Sequence, residues 1–338
     1  MATAYVPLEE ALFVVDGAPE DPELVGRRLT DYRPDCVVVH PDRPDRVLVG
    51  TSDAGLWRSD DGAESFERVG DGVLHERVTA LAVNPGDPDE LWAGTEPSAV
   101  YRSTDGGRNW EEKGGLTDLD SADSWSFPPR PHTHHVRWIE PDPGDPAHLY
   151  VGVEAGALVQ THDRGETWED RVDGSRRDNH SLATHPDAPS RAWAAAGDGY
   201  AESHDGGETW DHPQAGLEHR YCWSVAVDAD DPGTVLVSAA SGARAAHTTG
   251  DAYVYRKVET RGDEGEARSG WERADDGLSP GETLRPVLAR GATSGEFYAA
   301  SNHGLFRTAD AGESWRRLVA WPEGEGFEDQ AVRGLAVV

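Results

Sequence analysis

Lysine is almost missing from this chain of 338 residues: Lys113 and Lys257 are the only two, so arginine carries nearly all of the positive charge. Basic residues are outnumbered twofold, 31 against 63 acidic ones, for a formal net charge of −32. A surface of that sign repels phosphate backbones and anionic headgroups, which excludes nucleic acid and membrane as partners. Cysteine is as scarce. Cys36 and Cys222 fall at equivalent strand starts in different repeats, so no disulfide is expected and both read as small buried residues. No apolar run approaches a membrane span, and the N-terminus MATAYVPLEEALFVVDG lacks the basic start and unbroken apolar core of a secretory signal. The expectation is a soluble, cytoplasmic, monomeric protein with no cofactor.

What the chain does have is repetition. Ser203–Trp210 (SHDGGETW) has the form Ser/Thr-x-Asp-x-Gly-x-Ser/Thr-aromatic, and Ser103–Trp110, Thr161–Trp168 and Thr308–Trp315 repeat it closely. Ser59–Phe66 is a weaker copy with Ala63 at the glycine position, and Trp271 in SGWERADDGL marks a decayed one. Such a stretch is a wired hairpin turn: the Asp carboxylate accepts backbone N–H bonds, Gly supplies a positive φ, and the aromatic opens the next strand. Asp61, Asp105, Asp163, Asp205 and Asp310 are therefore read as structural, not catalytic.

The motif resembles the Asp-box, or BNR repeat, of sialidases, sortilin-type receptors and the photosystem II assembly factor family. The resemblance implies a β-propeller. The box aromatics sit at 66, 110, 168, 210, 271 and 315, 42 to 61 residues apart, a spacing that fits four short strands per unit. The expected fold is all-β, one propeller spanning 1–338, with repeats at about 35–77, 78–135, 136–178, 179–222, 223–284 and 285–330. AVRGLAVV (331–338) reads as an innermost strand completing a blade begun by 3–30, which makes seven blades; six is the alternative. Acid-rich, lysine-poor composition also resembles the proteins of salt-accumulating halophiles, and a halophilic archaeal source is expected.

When the innermost strands are aligned on the turns that follow them, one register holds Asp35, Thr79, Arg137, His180, Trp223, Arg285 and Arg333. The positions two further along are all apolar, so a buried stripe turns polar at one rim. Ligand contacts are expected from Arg137, His180, Trp223, Arg285 and Arg333, with His135 beside them. Two insertions, 118–135 and 239–270, break the period; the first carries Trp125-Ser-Phe127-Pro-Pro-Arg130, a lid suited to flat or sugar-like ligands. His135 and His180 are weak metal candidates, since Thr-His-His lacks metal-motif spacing.

Two main classes of function stay open, beside a third, a metal-dependent hydrolase or lyase that uses the rim histidines. One is a non-enzymatic, assembly-factor-like propeller that binds an unknown protein partner or a small anionic or carbohydrate-like ligand at this rim. The other is a glycoside hydrolase. The sialidase resemblance implies arginines on a carboxylate, a tyrosine nucleophile with a glutamate, and an aspartate acid–base, which makes Tyr221, Glu154 and Asp198 the catalytic candidates. The Phe/Tyr-Arg-Ile-Pro motif of sialidases is absent, and Asp-box xyloglucanases use two propellers where this chain holds one.

Overall fold

The computed structural model describes residues 2–258, 260–261, 267–268, 270–279 and 282–338. Among them seven antiparallel sheets form the blades of a propeller, each running outward from the hub. Blades one to six begin with innermost strands Pro34–His40, Arg77–Val83, Val136–Pro141, Asn179–Thr184, Tyr221–Val227 and Val287–Arg290. Second strands such as Leu149–Val153 are buried along their whole length because neighbouring blades cover both faces, so they read as continuous apolar runs. Outer strands meet water on alternate residues, as Glu23–Arg28 does. In blades three and four the expected fourth strand is reduced to single bridges, Gln160 with Glu169 and Glu202 with Asp211.

Blade seven is shared by the two ends of the chain. Ala336–Val337 pairs with Ala2–Pro7, which pairs with Leu12–Ala18, and Leu12–Ala18 pairs in turn with Glu23–Arg28. Thr3 and Val338 exchange both backbone bonds, at 2.8 and 3.0 Å. The pairing is shorter than the 331–338 run: only two residues form strand, while Val332 is fully buried in the core between blades six and seven. No sheet edge is left bare at the closure.

The boxes form the turns between third and outer strands. In each, two consecutive residues take left-handed backbone, among them Gly206 and Gly207 at φ 77° and 87°. Ala63 adopts φ 69° where the other copies have glycine, so the Ser59–Phe66 copy keeps the turn at the cost of a strained side chain. Its wiring is complete: Asp61 accepts from the Ser65 N–H at 2.9 Å and from both the Ser59 and Ser65 hydroxyls. Asp105, Asp163, Asp205 and Asp310 are bonded alike. Bonds from Ser65 and Thr167 draw the Asp61 and Asp163 carboxyls down to about 2. The Trp271 copy is only partly visible, since much of 259–269 lies outside the described residues.

Blades meet closely at the hub. A Cβ on Gly94 would lie 2.4 Å from Val136 Cγ1 of the next blade, and one on Gly50 2.8 Å from Val78. Side chains also bond across adjacent innermost strands: Ser181 Oγ accepts from Val225 N at 2.9 Å and Ser224 Oγ from Leu288 N at 3.0 Å. Both cysteines are free, and Cys36 is half-buried rather than buried. None of the described helices is long and apolar enough to cross a membrane.

Candidate functional site

The rim opposite the boxes is hollowed into a bowl of about 650 Å³ over the hub. Six of the seven register residues line it: Asp35, Thr79, Arg137, Trp223, Arg285 and Arg333. The reason is geometric. Equivalent positions on radial strands converge where the ring narrows, so a side-chain type repeated at one register becomes a cluster. Both period-breaking insertions fold over this bowl, one through Phe127–Arg130 and the other through Ala243, Arg244, His247 and Thr248. Arg285 N donates to Ala246 O at 3.0 Å, tying the second arm to the floor.

Trp223 is the centre of the floor. Arg285 Cζ lies 3.7 Å from its ring centroid and Arg137 Cζ 5.1 Å, while His180 leans on it, tilted by 36°, at 4.3 Å and His247 meets it edge-on at 5.0 Å. Cation–π attraction of this desolvated kind is worth ~2 kcal/mol. That does not replace hydrogen bonds. Arg285 is 2% exposed, its Nε and Nη1 have no partner among the described residues, and burial, with the charges of Arg333 and Arg137, disfavours its ionised form. Arg137 is loosely held, with Nη1 and Nη2 at 3.4 and 3.5 Å from backbone carbonyls and Nε 3.8 Å from Glu154. Arg333 donates to Glu9 at 2.7 Å.

The carboxylates differ among themselves. Glu154 lines the bowl and accepts from His135 Nε2 at 3.0 Å. Burial pushes its carboxyl up, yet the His135 bond and the charges of His135, His180 and Arg137 carry it well below the usual range. Burial raises the nearby Asp178 carboxyl, and the Glu154 charge adds to the rise. Tyr221, also in the wall, has its hydroxyl 3.1 Å from His247 Nε2, and burial beside Glu154 and Asp178 raises its pKa, which keeps it a neutral phenol.

Three expected residues sit elsewhere. Trp125 does not face the bowl: it packs into the core between blades two and three and donates to Ser121 Oγ at 3.0 Å, leaving Phe127 as the lid's aromatic. Asp198 is turned to the backbone N–H groups of Arg177 and Asp178, both at 3.3 Å, as Asp53 is to that of Arg33. His180 is 1% exposed behind Trp223, with Nδ1–H donated to Cys222 O at 2.6 Å. Its Nε2 joins Glu154 and Asp178 in a group whose ligand atoms lie within 4.8 Å of one another, a set able to hold a metal ion. His135 is not in that group. Asp178 takes the place expected of it, and its only advance sign was a polar residue two before the register.

A model of the BNR/Asp-box repeat matches residues 101–112. No curated protein matches the chain by sequence. Among solved structures, an ancestral GH74 enzyme is similar at 17% identity and TM-score 0.66, covering 86% of this chain, which spans 39% of that enzyme's length. YCF48 from Cyanidioschyzon merolae is similar at 14% identity and TM-score 0.57, over 85% of this chain and 86% of its own. YCF48 bound to D1 peptide is similar at 18% identity and TM-score 0.58, over 85% and 82%. At these identities the likeness is one of fold.

Proposed function

We propose that this propeller is a non-enzymatic binding protein that seats an anionic ligand, or an acidic segment of a partner protein, in the top bowl. The observation that carries this is Arg285, a buried guanidinium bonded to no carboxylate among the described residues, on a chain of net charge −32. The bowl is lined by seven arginines and five carboxylates, the opposite balance to the rest of the molecule. A cation buried without a partner costs several kcal/mol, and an arriving oxyanion would relieve it through charge-assisted bonds. The solved likeness of fold with a bound D1 peptide supports a protein segment as one kind of occupant. Arg285→Met tests the reading, since it keeps the contact with Trp223 and removes the charge. Phosphate or sulfate should raise the melting temperature of the wild-type chain but not of the variant, and the unliganded variant should melt at or above the wild type. An unchanged anion response in the variant would overturn the reading.

A second reading, glycoside hydrolysis, is favoured by one observation: Asp178 and Glu154 are adjacent carboxyls whose environments drive them apart, as an acid and a base require. Release of nitrophenol from aryl glycosides, abolished in Asp178→Asn, would establish it.

A further inference from the structure

The bowl's arginines are not equally free. Glu96 takes Arg130 through two bonds, at 2.8 and 2.6 Å, and Arg77 at 3.4 Å. Glu154 and Glu9 serve Arg137 and Arg333. Three guanidiniums are left with no hydrogen bond or ion pair among the described residues: Arg285 on the floor, and Arg33 and Arg244 at the exposed mouth. Arg33 precedes the innermost strand of blade one. Arg244 stands on the insertion arm of blade five, three blades away round the ring. Of the bowl's carboxylates, Asp178 is engaged by the Ala155 N–H, and only Asp35 accepts no hydrogen bond among the described residues. The uncompensated positive charge is thus split by depth, one part buried in the floor of the bowl and another at its opening.

A ligand with a single anionic group would settle Arg285 and leave the mouth as it is. We infer that the bowl takes a small molecule carrying two separated anionic groups, carboxylate or phosphate, one seated on the floor arginines and the other reaching Arg33 and Arg244. The inference rests on the proposed anion site. A small molecule rather than a chain segment is favoured because the two insertion arms wall a cavity of about 650 Å³, within the usual size for small-ligand pockets. Phe127, Pro128 and Pro129 line one wall and offer the ligand's uncharged middle an apolar face.

The test compares matched pairs on one skeleton by calorimetry at low ionic strength, where mouth charges are least screened. The probes are glucose 1-phosphate against glucose 1,6-bisphosphate, and hexanoate against adipate. The member with two anionic groups should, in at least one pair, bind roughly tenfold more tightly, the scale of two partly exposed charge-assisted contacts. Which pair shows the gap distinguishes phosphate from carboxylate. In the double variant Arg33→Ala/Arg244→Ala the ratio within that pair should fall to near one, whereas Arg285→Met should weaken both members. Equal affinities within both pairs, or a ratio untouched by the double variant, would overturn the inference while leaving the anion site standing. Tighter binding of a tetraglutamate peptide than of either small probe with two anionic groups would overturn it in favour of a protein segment. Failure of every anion to bind would remove the anion site itself.

Discussion

The two rims of this disc are built from similar polar residues and end in opposite states. On the box rim the box carboxylates are satisfied locally, and the arginines beside them find acids. Asp205 is within a few residues of every donor it uses, and Arg46 and Arg58 share Asp60 with a further acid each. On the bowl rim the donors come from blades far apart in the chain, and Arg285 finds no acceptor among the described residues. Local wiring makes a turn that needs nothing from outside. Convergence of like charges leaves donors that an arriving anion would satisfy, and on the proposed reading that difference separates scaffold from site where residue type cannot.

The largest effect on this comparison comes from opening the ring, because both rims exist only when the ring is closed. Deleting 331–338 removes the bonds between Thr3 and Val338, the buried Val332, and Arg333 with them. Calorimetry should show the cooperative transition lost or lowered by well over 10 °C, given that each kcal/mol moves a chain of this size by only a few degrees. A truncated chain melting within a few degrees of the full one would show that the terminal pairing closes nothing.

Next in size is Asp205→Ala, which strips the turn of the bonds to Thr209 and Ser203. Denaturant unfolding should register a loss of about 1–3 kcal/mol, with anion affinity in the bowl unchanged. Lost affinity at unchanged stability would invert the assignment of the two rims.

The smallest effect is a pH dependence. A carboxyl held at about 2 in the fold, against about 3.9 when unfolded, adds stability that is present above pH 4 and lost as pH falls toward 2. The gap in stability between wild type and Asp163→Asn should therefore be widest near neutrality and shrink across that window. A gap that stays constant down to pH 2 would mean the Asp163 charge plays no part in the turn.

Most of the box rim was legible in the chain. Serine or threonine, aspartate and glycine at fixed offsets close their bonds within one turn, so spacing alone specifies the wiring, even at Ala63. The bowl was legible only in part. The register of Arg137, Trp223, Arg285 and Arg333 could be aligned because innermost strands repeat. Whether an insertion residue turns inward could not, and Trp125 went to the core while Phe127 went to the wall. The acids after the second strands divided in the same way: Asp53 and Asp198 bend back to cap backbone, whereas Glu96 and Glu154 reach the bowl.

The sequence by itself determined the repeat, the turn chemistry, the closure of blade seven by both ends and the register that gathers arginine at the hub. These rest on contacts between residues near in the chain or on periodicity, and both are visible in one dimension. Only the tertiary structure decided which arginines find a carboxylate. Glu9 meets Arg333 across 324 residues and Glu96 meets Arg130 across 34, while Arg285 meets none among the described residues, because charge pairing depends on distance in space and on the water that burial removes.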